Sequence, residues 1–231
     1  MTKSLSKDYA LLNIAKGIDL NSFIAVKNLL GTIAAGIYEL EQNKIIELNK
    51  INAEGLAAML SSDFSMIVKK ELPSDLGYLK TLYNVIEKSE KKTTYDVIRM
   101  LCFDVKTQYS NQHVADIIGS LVSDNQLKEN EKKGLLGKKK IVYEADLDSM
   151  KQSTASMLEA LKNDTIDEHD TLLLYLLMKT DLLGDYYNSK EKAFIKEKLE
   201  QMKETDNAIK DVLKIIDDIL VILFALVAVF G

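Results

Sequence analysis

Tryptophan is absent from this 231-residue chain, and cysteine, proline and arginine each occur once. Each shortage excludes something. A lone Cys102 makes no internal disulfide, and its apolar setting, MLCF, reads as a small buried hydrophobe rather than a nucleophile. A lone Pro73 leaves long stretches free to be helical. With Arg99 the sole guanidinium, bidentate arginine recognition of phosphate is nearly excluded, and all other fixed positive charge is lysine. The two histidines, His113 and His169, have no second His or Cys at ligand spacing, which argues against zinc. The acidic run Asp167 to Asp170 (DEHD) reads as first-turn acids complementing a helix dipole, because four consecutive helical residues do not point one way. Neither a dinucleotide fingerprint, a Walker A loop nor a GxSxG elbow occurs. The expectation is a non-enzyme without cofactor or metal. The N-terminus lacks a signal-peptide pattern, so a cytoplasmic location is expected.

What is present is apolar and acidic: 47% hydrophobic residues, net charge −5 and pI near 5.3. That balance argues against a broad nucleic-acid surface while leaving room for a local basic patch. No Pro, Gly or Ser-rich linker divides the chain, and one domain over residues 1–231 is expected. The longest apolar run, Ile219 to Phe230, falls short of the ~20 residues a spanning helix needs. Asp217 and Asp218 bound it on one side and the chain end on the other. It reads as a buried core helix, the other reading being a tail that dips into a membrane.

Helical periodicity accounts for most of the rest. Helices are expected over Leu5 to Ala15, from Asn21 or Ser22 to Glu41 with small residues Gly31, Ala34, Ala35 and Gly36, after Pro73, from Thr93 or Thr94, and over Thr107 to Gln126. Further helices follow Leu147, a capping box at Thr165 and Glu168, a Ser189 cap, and Thr205 or Asp206. Gly184 is expected as a left-handed helix end. Leu172 to Met178 is apolar all round and reads as an interior helix. Lys44 to Leu48 and Phe64 to Lys69 read as short strands, and Asn130 to Asp146 as a hairpin or extended loop. The expected fold is mainly α, a single-domain helical bundle around apolar central helices with one or two small peripheral β-hairpins.

The segment GLLGKKK, Gly134 to Lys140, is the one stretch with a surface chemistry of its own. Leu135 and Leu136 sit between glycines, with Lys128, Lys132 and Lys133 before them and Lys138, Lys139 and Lys140 around and after. A tip that dips two leucines into a lipid interface while ammonium groups meet anionic head groups would look like this. At about 1 kcal/mol per lysine and about 2 to 3 kcal/mol for partial leucine burial, the affinity reaches only about 0.2 mM to 10 μM. The other reading is a solvated hairpin whose leucines pack on the domain.

The order of features resembles the Golgi phosphoprotein 3 family of peripheral membrane proteins. LLGTIAAGIYELEQNKIIEL (Leu29 to Leu48), LGYLKTLYNVIEKSEKKTTYDVIRML (Leu76 to Leu101), the passage Val114 to Asp146, DTLLLYLLMKTDLL (Asp170 to Leu183) and ILFALVAVF (Ile222 to Phe230) carry the resemblance. It implies a helical domain that binds phosphatidylinositol 4-phosphate through an aromatic residue and arginines, inserts a hydrophobic hairpin and self-associates. The aromatic falls on Phe23, one arginine on Thr32 and two near Asn111 and Val114, so the cationic part of that head-group pocket is missing. Lys27, Lys106 or His113 would replace it only as point charges. The hairpin corresponds to Leu135, Leu136, Lys138, Lys139 and Lys140 and is better kept. The implied partners are an anionic phospholipid surface and a second copy of the chain, with reversible membrane association. A helical protein-interaction module that has lost lipid recognition is the alternative.

Overall fold

A computed structural model describes residues 3–14, 26–52, 63–104, 107–133 and 139–230. The chain is mainly α-helical. Among the described residues there are nine α-helices and two two-stranded antiparallel sheets. The helices are α1 (Leu5–Ile14), α2 (Val26–Gln42), α3 (Lys80–Lys88), α4 (Thr94–Phe103), α5 (Tyr109–Ser123), α6 (Leu147–Lys162), α7 (Glu168–Lys179), α8 (Ser189–Thr205) and α9 (Asn207–Phe230). Strands β1 (Ile46–Ile51) and β2 (Asp63–Val68) form one hairpin, and β3 (Leu127–Lys133) and β4 (Lys139–Ala145) the other. The expected helices and hairpins therefore form, while the expected end of α1 at Ala15 and start of α2 at Asn21 or Ser22 lie outside the described residues.

A continuous apolar core runs from Leu5 in α1 to Ile222 in α9. Helix α7 is interior: every residue from Thr171 to Leu177 is buried, as an all-round apolar helix requires. Helix α1 packs on α2, α5 and α7, and α9 packs on α2, α4 and α8. The α1–α2 contact is unusually close. Gly31 faces the ring of Tyr9, and a Cβ there would lie 2.0 Å from Tyr9 Cζ. Tyr9 is fully buried, and its hydroxyl donates to Thr180 Oγ1 at 2.9 Å, joining α1 to the end of α7. Small residues in α2 thus admit a neighbouring aromatic ring.

Several local expectations are corrected by competition between neighbouring polar groups. Asp167, not Thr165, caps α7 by accepting from Asp170 N. Glu168 instead accepts from the Tyr38 hydroxyl. The α8 cap is Asn188, with Glu191 completing a capping box, rather than Ser189. Gly184 does not end α7; that helix stops at Lys179, and the left-handed residue is Asp181 (φ 66°). The apolar run of α9 is only partly interior. Ile219, Leu220 and Ile222 are buried, whereas Val221 (49%) and Phe224 (37%) are exposed. Among the described residues no helix is long and apolar enough to cross a membrane.

Asp217 is not a plain surface residue but the anchor of α9. It accepts from Lys179 (2.9 Å), Lys203 (2.7 Å) and Tyr175 (2.6 Å), gathering α7, α8 and α9. Burial works against its charge, yet these donors hold its carboxyl below the usual range. His113 in α5 has the opposite fate. It is completely buried and neither ring nitrogen has a hydrogen-bond partner. Burial drives its pKa down to about 4, against the opposing pull of Asp116 and of the Thr32 backbone, which lies near but outside hydrogen-bonding geometry.

Two expected outcomes follow from this packing. Gly31→Ala gains about 1 kcal/mol in helix propensity, but overpacking against a buried ring costs up to about 3 kcal/mol; net destabilisation is expected in urea unfolding. For His113, the unfolded chain takes up a proton near pH 6.5 that the folded chain refuses until about pH 4. Stability falls as pH drops through this window, by about 2 kcal/mol at pH 5 for this group. His113→Leu should remove that part of the pH dependence, read as the change in urea midpoint between pH 7 and pH 5.

Candidate functional site

The β3–β4 hairpin is positioned by the helices on either side of it. Helix α5 ends at Ser123 and α6 begins at Leu147, with Asp146 capping it. Leu127, on the first rung, belongs to the core and roots the hairpin, and Val142, midway along the ladder, is buried as well. The antiparallel register then sets Lys128 opposite Glu144, Glu129 opposite Tyr143, Asn130 opposite Val142 and Glu131 opposite Ile141. The last two rungs oppose Lys132 to Lys140 and Lys133 to Lys139. Like charges directly opposite on an antiparallel pair are unfavourable, by a few tenths of a kcal/mol or more. The base rungs mix charge signs, and Asn130 Nδ2 donates to Glu144 Oε2 at 2.8 Å. The outer three rungs hold four lysines and one glutamate, a net charge of +3.

Of the expected tip residues, Lys139 and Lys140 lie in β4, while Leu135, Leu136 and Lys138 lie outside the described residues. The register adds Lys132 and Lys133, which sequence reading noted as neighbours but could not set opposite Lys140 and Lys139. Of the expected head-group pocket, Phe23 lies outside the described residues and Lys27 is in the first turn of α2. Thr32 and Asn111 do come to one region, because Thr32 adjoins His113 and Asn111 precedes it in the same turn of α5. They differ in access. Asn111 is exposed, whereas Thr32 is fully buried and donates to Leu29 O at 2.8 Å, so its side chain offers nothing to a head group. Arg99 lies 3.6 Å from Asp96 within α4. No protein-family model matches the chain, and no curated protein matches it.

A second region of charge is a polar cleft of about 730 Å³ where the ends of α1, α2, α5 and α7 meet. Its groups come from distant parts of the chain. Lys3 bonds Asp167 (2.8 Å) and Asp170 (3.1 Å), chiefly the former hydrogen bond raising its pKa. Lys7 bonds Asp124 at 2.7 Å and lies over the Tyr78 ring. His169 Nε2 is 2.9 Å from Asp8 Oδ2. Glu39 is the least solvated: it accepts from Ser6 Oγ (2.7 Å) and Ser6 N (3.3 Å), so a carboxylate of α2 caps the start of α1. Burial raises its pKa, partly offset by those serine and backbone donors. Burial, then Glu168, pushes the Tyr38 hydroxyl up strongly. These charges tie helix ends together, anions at N-termini and Lys7 at the α5 C-terminus, as the helix dipoles favour. None of these pairs has a local sequence signal.

Glu39→Ala would leave the Ser6 hydroxyl and amide without this acceptor in a buried site. The expected cost is about 1 to 3 kcal/mol, with faster hydrogen exchange concentrated in the first turn of α1.

Proposed function

We propose that this protein is a peripheral membrane-binding protein that docks reversibly on anionic phospholipid surfaces through the end of the β3–β4 hairpin, acting by binding rather than catalysis. The observation that carries the proposal is the ladder register, which concentrates four lysines on two consecutive rungs, next to the Leu135–Leu136 pair in the sequence. An anionic surface is the partner that so dense a set of lysines would attract. The resemblance to the Golgi phosphoprotein 3 family points the same way and adds phosphatidylinositol 4-phosphate as a candidate lipid. The buried Thr32 and the sole arginine in α4 favour attraction to charge density over a shaped head-group pocket. Because one tip binds weakly, self-association would add avidity. A second reading, a protein-interaction module, is favoured by the exposure of Val221 and Phe224 on α9.

Co-sedimentation with phosphatidylcholine vesicles, alone or with phosphatidylserine or phosphatidylinositol 4-phosphate, tests this. Binding is expected only with anionic lipid and should weaken from low to physiological salt. Leu135→Ser with Leu136→Ser should weaken it roughly 30-fold without changing the urea midpoint. Absence of wild-type binding on every anionic vesicle would leave the protein-interaction reading in its place.

A further inference from the structure

We propose that the polar cleft at the ends of α1, α2, α5 and α7 binds a small aliphatic polyamine, whose ammonium groups meet the carboxylates of Glu39, Asp75 and Glu168. The cleft measures about 730 Å³, within the range of small-molecule sites, and all three residues line it. Its own cations are already engaged. Lys3 holds Asp167 and Asp170, Lys7 holds Asp124, and His169 meets Asp8. Among the described residues no ammonium, guanidinium or imidazole comes within ion-pair distance of the three remaining carboxylates. Glu39 accepts from the Ser6 hydroxyl and amide, and Glu168 from the Tyr38 hydroxyl. Those donors are neutral and leave the charges in place. Asp75 stands exposed in the first turn of the short helix Ser74–Leu79.

Glu39 is the decisive member. It is only 7% exposed, and buried charges are ordinarily paired. The start of α1 offers it no more than roughly half a positive charge. Burial accordingly raises its pKa despite the serine donors. Glu168 and Asp75 are exposed, so the cleft sets one buried carboxylate among two that face solvent. A cleft lined by one uncompensated sign focuses its field and concentrates counter-ions. The geometry then selects among cations. Among the described residues no three His, Cys, Asp or Glu converge closely enough to hold a metal ion. Carboxylates spread around a cleft suit several ammonium groups spaced along a flexible chain. The cleft already seats one ammonium in this way: Lys7 Nζ lies 2.7 Å from Asp124 and 5.0 Å from the Tyr78 ring centre.

The experiment is calorimetric titration of the full chain with spermidine at about 0.15 M salt, with magnesium chloride as the inorganic control. Saturable binding of one spermidine per chain is expected, and an equal concentration of magnesium should not displace it. Hydrogen exchange in the first turn of α1, which Glu39 caps, should slow when spermidine is bound. Glu168→Gln, which keeps an acceptor for Tyr38, combined with Asp75→Asn should weaken binding roughly tenfold for two exposed ion pairs. An unchanged urea midpoint certifies that this variant folds. Asp75→Lys, a reversal at an exposed residue, provides a second variant and should weaken binding several-fold. No saturable binding overturns the site. Displacement by magnesium at equal concentration overturns it too, since the attraction is then diffuse. Wild-type affinity in a folded variant places the amine elsewhere and has the same consequence. None of these outcomes bears on vesicle docking by the hairpin, which is separately measured.

Discussion

The approach of Tyr9 to Gly31 is the constraint on which the arrangement of the bundle depends. Only a residue without a side chain lets the α1 ring settle against the α2 backbone, and only a buried hydroxyl partner makes a buried phenol tolerable. Thr180 supplies that partner, so a contact between α1 and α2 also fixes where α7 ends. Tyr186, just beyond, donates to Leu12 O, closing the same corner from the other side. Glu39 then caps α1 from one end while its neighbour Tyr38 reaches Glu168 at the head of α7. Three helices are thereby held by groups on two adjacent residues of α2.

Burying apolar helices creates a problem at their ends, where backbone groups and flanking charges enter the core together. Asp217 shows one solution: it sits beside the most apolar part of the chain yet keeps its charge because two ammonium groups and a phenol converge on it. His113 shows the unsolved case. Its ring nitrogens are enclosed without partners, so the fold keeps it neutral and loses stability in acid. The difference lies in neighbours, since both side chains belong to helices with strong apolar faces.

Helices were legible because period-3.6 apolar faces are local: Leu79, Leu82, Tyr83 and Ile86 or Val114, Ile117, Ile118 and Leu121 declare themselves within two turns, and all are buried. Helix ends were less legible. Thr165 and Asp167 are both competent caps, and the choice follows from Glu168 being drawn to Tyr38, a residue 130 positions away. The polar cleft was illegible for the same reason, since Asp8 and His169, or Lys3 and Asp167, carry no mutual signal until the chain has folded. The lysine rungs fall between these cases. Composition marked the basic segment, but a slip of one residue would change every cross-strand partner, so the opposition of lysine to lysine emerges only from the register.

That register also bears on how a net acidic protein could approach an anionic surface at all. The chain carries −5 overall and the outer three rungs carry +3, which leaves −8 on everything else. On the docking reading, an approach with the hairpin first would be the orientation that the basic rungs favour. An uneven charge distribution of this kind steers as well as binds. On the docking reading, the core residue Leu127 at the base would make the steering effective, because it ties the hairpin to the core and lets the torque on the charged end act on the bundle. A mobile basic tail of equal charge would be attracted without orienting anything.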